Sequence, residues 1–276
     1  MKIIDGKGLS AAIRAELKEK IEKHEKKPGL AVVIVGEDPA SKIYVRNKIK
    51  ACAEVGIRSF SYELPATVSQ SELEGLLDEL AVSNEVDGIL LQLPLPKGFD
   101  ADAAMSRIPV EKDVDGFSPE NLGKLVLHEE KTVACTPLGV MEMLKREGVE
   151  IKGKNAVVLG RSDTVGKPMA LLLLNADATV TVCHSKTKDV KNVCLRADIL
   201  VSAVGIAKFV TADMVKDGAV VIDVGMNRDE NGKLCGDVDF ENVKEKASLI
   251  TPVPGGVGPM TIAMLMQNTC RAAYKE

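Results

Sequence analysis

The sequence predicts an α/β protein of two domains built on mainly parallel sheets. Three observations carry this expectation. Short β-branched runs alternate with helical stretches along the chain. The alternation breaks over residues 94–119, where prolines and glycines punctuate a loop with one short helix near 101–107, and a domain junction is placed there. At 276 residues the chain is long enough for two modest hydrophobic cores.

The first clear strand covers 30–35, Leu30-Ala31-Val32-Val33-Ile34-Val35, and ends at Gly36. Asp38-Pro39 then opens a helix to about Glu54, because an N-cap carboxylate precedes proline at the first helical position. Gly56 ends that helix, and 59–64 reads as the next strand. Ser69 and Glu72 form a capping-box pattern that starts a helix over 69–84. A buried strand follows over 88–93 and stops at Pro94. Beyond Thr136-Pro137 a helix runs to Arg146. A second α/β series then has strands at 156–159, 179–183, 199–203 and 220–224, with helices between the first three. A proline- and glycine-rich loop over 251–259 leads into a final helix over 260–274.

Composition narrows the functional classes. A net charge of -4 offers no basic footprint for nucleic acid. The longest apolar runs, such as 169–174, are far too short to span a bilayer. The first residues meet charge and glycine at once, without a signal-peptide core, so a cytoplasmic location is expected. The six cysteines are scattered, with no C-x-x-C pair, and read as reduced thiols. His24, His128 and His184 are equally isolated, and no metal site is expected.

Residues 155–166 read as strand, tight turn and helix, the setting in which backbone amides at a helix N-terminus receive a phosphate. Ser162 stands where a dinucleotide fingerprint has its second glycine, so the motif alone is weak. A P-loop fails because five residues separate Gly160 from Gly166 and Pro168 replaces the magnesium-binding hydroxyl. At the end of the next strand, Cys183-His184-Ser185-Lys186 lacks the carboxylate that often holds the ribose of NAD. Ser185, Arg161 and Lys186 would attract a 2′-phosphate, which favours NADP over NAD. The plainer reading makes Arg161 and Lys186 solvated surface charges.

Tyr44 and Lys48 are one turn apart on a helix and share a face. Most such lysines are simply solvated. Gln92, however, sits in an otherwise apolar strand end, where a buried amide must find a partner and where ligand crevices open. Asp113 and Asp115 lie in a turn at the junction, and Asp113 can be read as a turn cap.

With those residues in view, the chain resembles the bifunctional methylenetetrahydrofolate dehydrogenase/methenyltetrahydrofolate cyclohydrolase family over essentially its whole length. The blocks that carry the resemblance are 36–48 with Tyr44 and Lys48, Leu91-Gln92-Leu93-Pro94-Leu95-Pro96, Lys112-Asp113-Val114-Asp115-Gly116-Phe117 and Cys135-Thr136-Pro137. Gly160-Arg161-Ser162, Asp223-Val224-Gly225 with Asn227, and residues 252–261 complete the ordered set. The resemblance implies two α/β domains flanking a cleft. A folate-binding catalytic domain would span 1–118 plus 256–276, and a Rossmann-like NADP-binding domain would span 119–255. It makes Lys48 the catalytic lysine, assisted by Tyr44 and Gln92, with Asp115 holding the pterin. Gly256 and Pro259 join these four as substrate contacts. Gly160, Arg161, Ser162, Ser185 and Met226 match NADP contacts, and a homodimer is implied. Met226 stands where isoleucine is common, Ala134 replaces a frequent proline, and Asp163 places a negative charge beside the phosphate turn.

The implied chemistry has two steps. Methylenetetrahydrofolate gives a hydride to the nicotinamide, and the adjacent nitrogen lone pair stabilises the cation that remains. This step needs closeness, not a proton acceptor. Water then attacks the methenyl carbon and the ring opens to formyltetrahydrofolate, which requires proton transfer and is assigned to Lys48. Desolvation and a neighbouring positive charge both favour a neutral amine, and Gln92 would orient it without adding charge. Three rivals remain open: a dehydrogenase with that single activity, a shikimate-type NADP dehydrogenase, and a non-enzymatic NADP-binding protein.

Overall fold

The structure, a computed structural model, describes residues 1–275, the side chain of Ala40 apart. In chain order it contains β1 (Lys2–Ile3), α1 (Gly6–Glu22), β2 (Gly29–Val35), α2 (Pro39–Val55), β3 (Arg58–Leu64), α3 (Gln70–Val82) and β4 (Gly88–Leu91). Next come α4 (Ala101–Met105), α5 (Pro119–Val126), α6 (Cys135–Arg146), β5 (Asn155–Leu159), α7 (Gly166–Asn175) and β6 (Thr179–Cys183). The chain closes with α8 (Val190–Cys194), β7 (Ile199–Ser202), β8 (Val220–Asp223), β9 (Asn227–Arg228), β10 (Leu234–Cys235), α9 (Phe240–Val243), β11 (Leu249–Ile250) and α10 (Val257–Tyr274).

These elements form two compact units. One comprises Ala11–Cys135 with the chain from Ile262 onward. Its three-stranded sheet has the order β3-β2-β4, and both pairings are parallel. Every residue of β2 is buried, which explains its unbroken apolar run: a central parallel strand is covered on both faces. Leu73, Leu77 and Leu80 of α3 pack on Ala31, Val33 and Val35. The start of α2 is set by Asp38, whose Oδ2 accepts from the Ser41 amide at 2.8 Å. The reciprocal box between Ser69 and Glu72 starts α3.

The other unit comprises Met1–Ser10 with Thr136–Thr261. Its six-stranded sheet has the order β1-β11-β8-β7-β5-β6, parallel at every pairing. The order reverses at β5, which has β6 on one side and β7 on the other. A ligand crevice opens beyond the strand ends at such a switch point.

These units differ at their edges from the division at 118/119 and 255/256. Lys2 and Ile3 pair with Leu249 and Ile250, and the Ile4 amide donates to Ile250 O at 2.9 Å, so the first ten residues fall in the unit of the six-stranded sheet. Residues 119–135 stay with the smaller sheet, because Asn268 Nδ2 bonds the carbonyls of both Val114 and Val133. Residues 256–261 belong with the six-stranded sheet.

Candidate active site

In the smaller unit the polar residues gather at the C-terminal end of β4. Lys48 is 9% exposed, and its Nζ donates to Gln92 Oε1 at 3.0 Å. Gln92 is held in turn by both its backbone and its side chain. Its amide donates to Val33 O at 2.8 Å, and its Nε2 donates to Leu93 O at 2.7 Å. The half-buried amide thus gives an Nε2 hydrogen to the chain and turns its acceptor oxygen to the amine. Tyr44, one turn before Lys48, is half-buried, and burial raises its phenol above the ordinary range. Cys52, one turn after Lys48, is a bystander: burial pushes its thiol up to about 12.

Asp113 and Asp115 divide their work. Asp113 is buried, and its oxygens accept from the amides of Gly116 at 3.0 Å, Phe117 at 3.3 Å and Ser118 at 2.8 Å, and from Asn121 Nδ2 at 2.9 Å. It builds the turn. Asp115 keeps some solvent contact while its carboxyl sits among protein atoms. Burial raises its pKa, the Lys48 ammonium opposes that rise, and the Asp113 charge adds to it. The Cys135 thiol hydrogen-bonds Asp115 and lies 3.4 Å from Val114 O. Burial, together with the Asp115 charge, holds that thiol protonated. An amine, an amide oxygen and a carboxylate therefore form a small polar island on apolar walls, able to orient a polar heterocycle and move a proton.

Two residues that support this island were not anticipated. Asn268 of α10 ties down the carbonyl before Asp115 and that of Val133, at 2.9 and 3.0 Å. Cys135 supplies the thiol beside the carboxyl. Asn268 had a visible signal, since it follows the apolar stretch Ala263-Met264-Leu265-Met266. The contact of Cys135 had none, being a matter of tertiary folding.

In the larger unit, β5 runs into a turn that only glycine fits. Gly160 has φ +112, and a Cβ there would lie 2.3 Å from Ala203 O; one on Gly166 would lie 2.4 Å from Gly160 O. A cavity of about 420 Å³ opens beside this turn. Gly160, Arg161 and Ser185 line it, with His184, Thr187, Val190, Val204, Ile206 and Phe209. It combines one cation and several hydroxyl and amide donors with apolar walls, and no carboxylate lines it. That composition fits a phosphorylated dinucleotide.

Ser162 and Met226 are not among the residues lining this cavity. The Ser162 hydroxyl accepts from the amides of Val165 at 3.2 Å and Gly166 at 3.3 Å, so it fixes the turn. Met226 follows β8 and is 52% exposed. The charge of Asp163 is answered one turn later by an ion pair with Lys167. The wall from Val204 to Phe209 was not foreseen, because it follows a strand whose end carries no motif. Gly256 and Pro259 lie in this same unit: Gly256 is packed against Thr251 and Pro252, and Pro259 O accepts from Ser10 Oγ at 2.8 Å. Among the described residues no cluster of His, Cys, Asp and Glu could hold a metal ion.

A doubly wound sheet with a glycine turn, in one chain with a second α/β unit carrying a buried lysine, is the plan of a two-domain dinucleotide-dependent enzyme. The chain belongs to the tetrahydrofolate dehydrogenase/cyclohydrolase family: residues 4–115 match its catalytic domain and residues 134–276 its NAD(P)-binding domain. It is 57% identical over 277 residues to the bifunctional protein FolD of Magnetococcus marinus, covering 99% of this chain and 97% of that one. Among solved structures, the bifunctional FolD enzyme of Campylobacter jejuni superposes with a TM-score of 0.97 at 50% identity, covering 100% of this chain and 99% of that one. The dehydrogenase-cyclohydrolase of Trypanosoma brucei, complexed with NADP and an inhibitor, gives 0.94 at 44% identity, covering 99% and 97%. A shikimate dehydrogenase from Thermus thermophilus reaches 0.55 at 18% identity over 89% of this chain and 99% of that one, a likeness of fold alone.

Proposed function

We propose that this chain oxidises methylenetetrahydrofolate to the methenyl compound with NADP and hydrolyses that product to formyltetrahydrofolate. The observation that carries the second activity is the buried Lys48 amine 3.0 Å from Gln92 Oε1, close enough to Asp115 to influence its ionisation. When bound, the dinucleotide supplies a hydride acceptor. Everything else falls to the residues of the chain.

Asp115 holds the N–H edge of the aminopterin through charge-assisted hydrogen bonds. Tyr44 lies against the same substrate. Lys48 is the group placed to accept a proton from the water that attacks the methenyl carbon. Gln92 fixes the direction of the amine through its Oε1. Gly256 and Pro259 complete the folate contacts. For the dinucleotide, Gly160 leaves room for the backbone, Arg161 and Ser185 take the 2′-phosphate, Ser162 shapes the turn, and Met226 covers a ring face. The enzyme works as a homodimer in the cytoplasm.

Replacing Lys48 with Met tests the assignment. Loss of a general base lowers hydrolysis by about 10²- to 10⁴-fold, with NADP and folate still bound and the methenyl compound accumulating. Hydrolysis near the wild-type rate would remove Lys48 from the mechanism. The single-activity alternative is disfavoured by the presence of both Tyr44 and Lys48.

A further inference from the structure

We infer that Asp237 is a positioning residue for dinucleotide binding: its buried carboxylate fixes the loop after β7 that forms one wall of the cavity. The inference rests on the reading that this cavity takes NADP. Asp237 has no solvent exposure and is not among the residues lining the cavity. Its Oδ2 accepts from Val204 N at 2.7 Å, Gly205 N at 3.3 Å and Ser202 Oγ at 3.1 Å. Its Oδ1 accepts from Ile206 N at 3.0 Å and Asn227 Nδ2 at 2.9 Å. Three successive backbone amides thus converge on one carboxylate, and the residues that bear two of them, Val204 and Ile206, line the cavity.

The far end of the loop is fastened to the same segment. Lys208 N donates to Gly236 O at 3.1 Å, and Val210 N to Asp237 O at 2.9 Å. Asp237 is itself held in place, because its amide donates to Asp223 Oδ1 at 2.9 Å. Space for the carboxylate comes from Gly225, where a Cβ would lie 2.1 Å from Asp237 Oδ1. All five donors are neutral, so the buried charge is met by oriented dipoles and not by an ion pair. Such an arrangement is expensive to bury. What it provides, and an apolar residue would not, is one defined path for a loop that has no regular structure of its own.

Asp237→Asn keeps the shape but replaces one acceptor with an NH₂ group that faces donors. The expected result is a rise of about 10-fold in Kd and KM for NADP, the size of one lost charge-assisted hydrogen bond. The kcat at saturating NADP stays within about two-fold, as does hydrolysis of the methenyl compound, which needs no dinucleotide. Ser202→Ala removes one donor, leaves the carboxylate in place, and raises Kd by about three-fold. Unchanged NADP affinity in folded Asp237→Asn overturns the inference, and so does an equal loss of both activities without a KM-against-kcat split. If Asp237→Asn does not fold, unchanged affinity in Ser202→Ala overturns it instead. A wild-type enzyme that fails to bind NADP in the same titration overturns the functional reading, and the inference falls with it.

Discussion

The two units place polar groups at the ends of parallel strands with different materials. In the smaller unit the chemistry-bearing atoms are side chains on regular elements: Lys48 on α2, Gln92 just beyond β4, and Asp115 on a turn braced by Asp113. In the larger unit the cavity is walled mainly by loops, and buried carboxylates hold the backbone from behind. A proton-transfer site needs one amine within a few tenths of an ångström of its place, which a helix and a strand end supply. A long dinucleotide, with charged phosphates between flat rings, needs an extended surface of amides and apolar groups, which loops supply once they are pinned. Asp113 and Asp237 are the counterparts in this comparison: each is a buried carboxylate that collects backbone amides and leaves the ligand to others.

The sharpest way to break this comparison is Asp113→Ala. Four donors lose their acceptor inside the smaller unit, so unfolding free energy falls by about 3 kcal/mol or more. Hydrolysis falls with it as Asp115 loses its footing, while NADP affinity stays unchanged; a parallel loss of NADP binding would show that the supports are not separate. Next in size is a pH effect confined to the larger unit. Burial pushes Asp223 up to about 6, and the Asp237 charge adds to the rise, against three backbone amides that oppose it. Between about pH 4 and 6 the folded chain therefore keeps a proton that the unfolded chain has released. The contribution of this group to stability falls as pH rises through that window, by on the order of 3 kcal/mol. Asp223→Asn should flatten that part of the stability profile measured by denaturant titration, and a profile of unchanged slope would refute the assignment. Smaller still is Arg161→Gln, which should raise KM for NADP about 10-fold and leave KM for NAD unmoved. Equal changes with both cofactors would place Arg161 away from the 2′-phosphate.

Local rules made much of the framework legible. The unbroken apolar run of β2, the Asp38-Pro39 opening of α2 and the Ser69/Glu72 box of α3 all act within a few residues, and all appear where expected. The same rules left some signals unread. Ile13, Leu17 and Ile21 recur every fourth residue in α1 and are buried, and Ser118-Pro119 opens α5 as Asp38-Pro39 opens α2. By contrast, β1 and β11 are two residues each, and nothing in Lys2–Ile3 or Leu249–Ile250 marks a strand until they pair with each other.

The sequence by itself determined the α/β class, the principal strands and helices, and the kinds of side chain available for chemistry. Those properties follow from periodicity, capping and turn residues, whose physics is local. Tertiary structure alone decided that Gln92 turns its oxygen to Lys48, that Asp115 lies close to the amine, and that Lys2 and Ile3 extend the six-stranded sheet. It also decided that Asp237 gathers a loop whose own residues lie some thirty positions earlier in the chain. Each of these depends on contacts between groups far apart in sequence, which no local pattern encodes because their partners are chosen only when the strands have found their order.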